Sequence, residues 1–128
     1  MVLDTAALID AADDRRSLAA GVIDIAMWDL RTVCVPSNVL LEGLSLVPEH
    51  AQILLARFVN LPVVVVDPFG QDDAFDAGAH AARSRARKAG CDLKQAVHVA
   101  RHRRWPLVTR DVDAAGALGP DVRVVPLP

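Results

Sequence analysis

The residues of this chain best suited to chemistry are carboxylates, and several stand where an apolar run gives way to a helical stretch. "LVTRDVD" at 107–113 is a short apolar run that stops at Thr109 and two alternate aspartates, Asp111 and Asp113. Asp is among the poorest strand formers and is costly to bury, so carboxylates at that tip serve either a turn or a metal site. The choice depends on whether other acids arrive at the same place. In "VLDTAALID" Asp4 ends the first apolar run and Thr5 follows it. In "PSNVLLEGLSL" Glu42 is the only charge among Val39, Leu40, Leu41, Leu44 and Leu46, so it occupies a thin solvent edge or has a buried partner. Asp92 opens "DLKQAVHVARHRR", which runs directly into the "LVTRD" segment.

Each acid has a plainer role available. Asp4 can close a strand, Asp92 can cap a helix, and Asp113 can meet the dipole of a first helical turn. Their order along the chain argues for more, because ligands of open α/β sheets bind beyond the carboxyl ends of the strands. An all-oxygen site of this kind suits hard cations such as Mg²⁺ or Mn²⁺, which keep waters and also coordinate phosphate oxygens. The chemistry such a site supports is metal-assisted hydrolysis of a phosphodiester by in-line attack of water.

The elements that must position these acids follow from hydrophobic period. Short β-branched runs alternate with longer stretches of helical spacing, the pattern of an α/β domain with a mainly parallel sheet of about five strands. Strands are predicted at Val2 to Asp4, Thr32 to Val35, Val63 to Val66, Leu107 to Thr109 and Val122 to Val125, with Pro36, Pro62, Pro68 and Pro106 at their boundaries. Apolar helical faces are read at Leu18, Val22, Ile25 and Ala26, at Ala51, Leu54, Leu55 and Phe58, and at Leu93, Ala96, Val97 and Ala100. "FDAGAHAARSRARK" reads as one helix with a face of small residues, ended near Gly90. The 128 residues are expected to form a single domain, with no repeat, linker or low-complexity segment.

Composition narrows the class. Apolar residues are 52% and charged residues 23% of the chain, a globular balance, while aromatics at 4% leave an aliphatic core. A net charge of −2 gives no global attraction to nucleic acid, so polyanion binding would rest on local basic patches. The two cysteines, Cys34 and Cys91, form no ligand pattern and read as reduced, buried residues of a cytoplasmic protein. The N-terminal stretch lacks a basic start and is interrupted by Asp4 and Asp10, so it reads as neither a signal peptide nor a membrane span, and the first residue is expected to be the mature terminus.

With these residues in view, the chain resembles the PIN-domain ribonucleases, in particular the VapC-type toxins of bacterial toxin–antitoxin pairs. The likeness rests on "VLDTAALID", "VPSNVLLEGL" and "DLKQAVHVARHRRWPLVTRD", and it spans nearly the whole length. It implies a PIN-like three-layer α/β/α sandwich over residues 1–128. It also implies that Asp4, Glu42, Asp92 and Asp111 are the metal-site acids, with Thr5, Thr109 and Asp113 as accessory residues. The chain departs from the family after Asp92, where Leu93, Lys94 and Gln95 replace a small, apolar run. The resemblance further implies Mg²⁺ or Mn²⁺ as cofactor, RNA as substrate with a 5′-phosphate product, a homodimer, and a cognate antitoxin that covers the acidic groove.

Other features weigh less. His98 and His102 in "HVARH" have the spacing of a zinc pair, but two ligands do not make a site, and a solvated basic helix face is the better account. Arg101, Arg103 and Arg104, and separately Arg83, Arg85, Arg87 and Lys88, could position a phosphate backbone or be plain surface, and Arg110 between Thr109 and Asp111 is expected near the site. Asp67 before Pro68 reads as a turn, Trp28 as a packing residue, and Trp105 as either packing or base stacking. A receiver-like phosphoacceptor domain also uses strand-end aspartates and Mg²⁺, but it needs a strand-end lysine, and Lys88 and Lys94 both lie in helical stretches. A PIN scaffold that binds RNA or protein without cutting remains the non-enzymatic alternative.

Overall fold

The computed structural model describes residues 1–13, 21, 24, 25, 28, 29 and 31–128. In chain order these form β1 (Val2–Leu3), α1 (Thr5–Asp13), β2 (Val33–Pro36), α2 (Ser37–Leu46), α3 (Glu49–Val59), β3 (Val64–Asp67), α4 (Gln71–Ala82), α5 (Cys91–Arg103), β4 (Leu107–Thr109), α6 (Val112–Leu118) and β5 (Val124–Pro126). The five strands make one sheet in the order β3-β2-β1-β4-β5, parallel throughout. The register sets Val2 between Cys34 and Leu107, and Leu3 beside Val108.

Every residue of β1, β2 and β4 is buried. Successive side chains of a strand point to opposite faces, so a strand buried at each position requires cover on both sides of the sheet. The helices supply that cover, through Leu8 of α1, Val39 of α2, Leu55 and Phe58 of α3, and Leu93, Ala96, Val97 and Ala100 of α5. The α5 stripe is the one read from helical spacing. The edge strand β3 is open instead, with Val65 and Val66 exposed.

The topology reverses at β1. From there the chain moves outward through β2 and β3, then returns to the other side for β4 and β5. The crevice between the carboxyl ends of β1 and β4 is the switch point at which open α/β sheets bind ligands.

Several expectations are corrected. The helix expected to reach Gly90 stops at Ala82, because Ser84 turns the chain: its hydroxyl accepts from Ala86 N at 3.0 Å and donates to Ala117 O at 2.8 Å. Trp28 is 89% exposed and does not pack, Leu54 of the α3 face is also exposed, and Cys91 is exposed where a buried thiol was expected. Leu18, Val22 and Ala26 lie outside the described residues, and Ile25, which is described, is exposed. Among the described residues no helix is long and apolar enough to cross a membrane.

Candidate active site

A cleft of about 600 Å³ opens at the switch point, lined by Asp4, Thr5, Glu42, Asp92, Arg110 and Asp111. Four segments far apart in sequence deliver these residues. β1 ends at Leu3, so Asp4 begins α1 rather than closing the strand. Its carbonyl accepts from Leu8 N at 2.9 Å and its Oδ1 accepts from Ala7 N at 2.7 Å, which makes it the N-cap of α1. Asp111 does the same for α6, its Oδ1 accepting from Ala114 N at 3.0 Å. Turn chemistry and site geometry are therefore not alternatives here. Capping fixes each carboxylate at a helix N-terminus, where the dipole favours negative charge and the second oxygen has other uses.

Those uses are visible at Asp4. The buried Thr109 hydroxyl donates to Asp4 Oδ2 and accepts from Asp111 N at 3.0 Å, joining the two caps through one side chain. The Thr5 hydroxyl donates to Asp92 Oδ2 at 2.6 Å, tying the start of α1 to the start of α5. Burial pushes the Asp4 carboxyl above the usual carboxylate range. Hydrogen bonds from Thr109, Ala7 and the Arg110 backbone oppose that rise, and the Asp92 charge adds to it.

Glu42 resolves onto the solvent edge of α2, exposed and facing the cleft, not into a buried pair. Asp113 is exposed and is not among the residues that line the cleft. Arg101, Arg103 and Arg104 precede β4 in sequence, yet they lie at the far end of α5 from Asp92, about 14–18 Å away at 1.5 Å per helical residue. There Arg101 pairs with Asp121 at 3.4 Å and Arg103 with Asp67 at 3.1 Å, and the Arg103 guanidinium stacks over Trp105 at 5.0 Å. The other basic cluster is nearer. Exposed Arg83, Arg85, Arg87 and Lys88 lead directly into Ala89 and Gly90 at the cleft wall.

The cleft also holds Asp10 and Asp13, which were not singled out. The signal was present, since Ala6, Ile9, Asp10 and Asp13 recur at helical spacing and share one face of α1. A second omission is Gln95, which is wholly buried. Its Oε1 accepts from Asn38 N at 2.8 Å and its Nε2 donates to Asp67 O at 3.1 Å. Pro36, the N-cap of α2, offers no side-chain cap, so Gln95 supplies one from α5 and sets the helix that carries Glu42. Of the three residues after Asp92, Gln95 is thus a structural clamp. His98 is likewise corrected. It is only 5% exposed, so it does not lie on a solvated helix face.

The donor atoms that these acids bring to the cleft are of the type hard cations take. Asp4, Glu42, Asp92 and Asp111 offer oxygen alone, with hydroxyls and backbone N–H groups orienting three of the carboxylates, Asp4, Asp92 and Asp111.

No protein-family model matches the chain, and no curated protein matches its sequence. Solved structures do match its fold. VapBC2 from Rickettsia felis, solved bound to a DNA fragment from its promoter, superposes with a TM-score of 0.76 at 16% identity, covering 99% of this chain and 98% of that one. VapC20 of Mycobacterium tuberculosis, described as a toxin that cleaves the sarcin-ricin loop, gives 0.68 at 18% identity, with 95% and 98% covered. FitAcB from Neisseria gonorrhoeae gives 0.66 at 17% identity, with 96% and 94% covered. The fold is therefore PIN-like, that of VapC toxins, over nearly the full length of both partners.

Proposed function

We propose that this chain is a Mg²⁺- or Mn²⁺-dependent endoribonuclease, the toxin of a toxin–antitoxin pair. Asp4, Glu42, Asp92 and Asp111 would hold the cation, with Thr5 and Thr109 as orienting residues. The observation that carries the proposal is the convergence of those acids on one cleft at the switch point of a PIN-like sheet. A bound divalent cation would supply charge to offset the developing negative charge on the phosphoryl group and the leaving oxygen. The chain's own residues do the rest. Thr109 and Ala7 N hold Asp4 with its two oxygens fixed, Thr5 holds Asp92, and the Asp111 cap keeps its carboxylate at the cleft rim. Arg110 lines the same cleft, and its cationic side chain would suit a substrate phosphate.

The buried position of Asp4 in the cleft favours unpaired nucleotides, which reach it more easily than a stacked duplex can. The exposed 83–88 cluster beside the cleft supports a phosphate-positioning role there. Six acids in the cleft, Asp4, Asp10, Asp13, Glu42, Asp92 and Asp111, against Arg110 also suit an antitoxin segment that reaches in with a basic side chain. Homodimerisation and a cytoplasmic location belong to the same reading.

Incubating the purified chain with loop-containing RNAs tests it. Cleavage should require Mn²⁺ or Mg²⁺, stop with EDTA, and be lost in Glu42→Gln, a change at an exposed position that leaves the fold intact. RNA binding without cleavage under all metal conditions would point to the non-catalytic module instead.

A further inference from the structure

α4 and α5 pack face to face and bring together two pairs at helical spacing, Asp73 with Asp76 and His98 with His102. We propose that Asp76, His98 and His102 form a second cation site, separate from the carboxylate cleft, for a borderline divalent ion of the Zn²⁺ type. Among the described residues this is the group of three His, Cys, Asp or Glu whose ligand atoms all fall within 4.8 Å of one another. None of its members lines the acid cleft, and His98 stands six residues beyond Asp92 along α5, about 9 Å at 1.5 Å per residue.

In the neutral rings the hydrogen bonds fix which nitrogen carries the free lone pair. His98 Nε2 lies 3.1 Å from Asp73 Oδ1, and a carboxylate only accepts, so Nε2 carries the hydrogen. A neutral ring then presents its lone pair at Nδ1. That atom is buried, finds no hydrogen-bond partner among the described residues, and stands 3.4 Å from Asp76 Oδ2. His102 Nδ1 lies 3.1 Å from the His98 carbonyl, which also only accepts, so its free lone pair is at Nε2, 3.5 Å from the same Asp76 oxygen. Two nitrogen lone pairs and a carboxylate oxygen facing one another repel unless positive charge lies between them. Zinc ligands at a tetrahedral angle stand about 3.4 Å apart, given metal–ligand bonds of about 2.0–2.2 Å, and both observed separations match.

The donor types decide the class of ion. Two imidazoles with one carboxylate suit borderline transition ions and not Mg²⁺, and three protein ligands leave a coordination position open. A cavity of about 270 Å³ beside His98, His102 and Phe69 gives access. Asp73 takes the part of the carboxylate that orients a ligating histidine through its other nitrogen. A cation here would clamp α4 onto α5, which also carries Asp92 and the Gln95 clamp.

The competing account is a pair of protonated imidazoles held by Asp76, with no affinity for metal. Metal-stripped protein in excess Mg²⁺ is titrated with Co²⁺ as the spectroscopic probe, then with Zn²⁺ as competitor, while thermal melts are followed. The site predicts visible Co²⁺ absorption that Zn²⁺ abolishes and a Zn²⁺-dependent rise in Tm, both retained in Asp4→Asn. His102→Ala and Asp76→Asn alter side chains that are more than half exposed, so they should keep the fold yet weaken binding by about tenfold or more, and Asp73→Asn should weaken it about 10–100-fold. A wild-type protein with no Co²⁺ spectrum and no Zn²⁺ response, or equal responses in all these variants, would overturn the proposal.

Discussion

Gln95→Ala should destabilise the protein by about 2–4 kcal/mol, far beyond the effect of an ordinary surface change. The wild-type side chain is wholly buried, and its loss leaves the Asn38 N–H and the Asp67 C=O without their partner. Each buried group so orphaned costs about 1–3 kcal/mol, and the vacated space adds a packing term. Both groups lie in partly buried surroundings, so water relieves some of that and the lower half of the summed range is expected. For a chain of 128 residues, about 1 kcal/mol corresponds to about 4 °C in Tm, so the midpoint should fall by about 8–16 °C. Urea denaturation and thermal melts of Gln95→Ala beside Lys94→Ala, its less buried neighbour, make the comparison. Gln95→Glu keeps an acceptor for Asn38 but loses the donor to Asp67, and it should also be destabilised. A loss below about 0.5 kcal/mol in Gln95→Ala would mean that the clamp contributes nothing and that α2 is positioned by packing alone.

Asp4→Asn should weaken the Mn²⁺-dependent rise in Tm and abolish cleavage, measured by melts with and without Mn²⁺, because binding to the native state alone stabilises it by mass action. The Asp4 carboxyl is raised by burial, so without metal the native state holds its proton more tightly than the unfolded chain and stability falls as pH rises from about 3.8 through the folded value. Asp4→Asn should flatten that slope in EDTA. Gly90→Ala places a Cβ against Asp92 Oδ1, the movable end of a side chain, so it should shift the carboxylate and weaken Mn²⁺ binding with little loss of stability, as read by Mn²⁺ titration and melts. Burial pushes the Cys34 thiol from 9.0 up to about 11. Forming its thiolate is thus harder in the folded state, and stability should decline as pH climbs from about 9 to about 11, a decline that Cys34→Ala removes in urea titrations at stepped pH.

Much of this arrangement was legible in the sequence because two periods carry it. The five strands were found within one or two residues, and the α5 stripe of Leu93, Ala96, Val97 and Ala100 is buried as its spacing implied. That Asp4, Glu42, Asp92 and Asp111 line one cleft follows from a parallel sheet, which sends its strand ends and the helices that follow them to one edge. What failed depended on contacts between distant segments. Gln95 looks like an ordinary helical polar residue, and nothing local says that its amide reaches Asn38 and Asp67. In the sequence His98 and His102 stand as an isolated pair, since their acidic partners Asp73 and Asp76 lie on the preceding helix. The 101–104 arginines stand near the site strand in sequence, yet a helix that returns along the sheet carries them to its other end. Ser84 ended a helix that composition alone would have continued.

A crystal grown or soaked with Mn²⁺, examined for anomalous scattering, tests the central claim most directly. The account predicts a peak in the cleft between β1 and β4, with carboxylate oxygens of Asp4, Asp92 and Asp111, directly or through water also Glu42, around the ion at about 2.0–2.2 Å for direct bonds. A cleft without a peak at saturating Mn²⁺, or an ion held only by Asp76, His98 and His102, would contradict it.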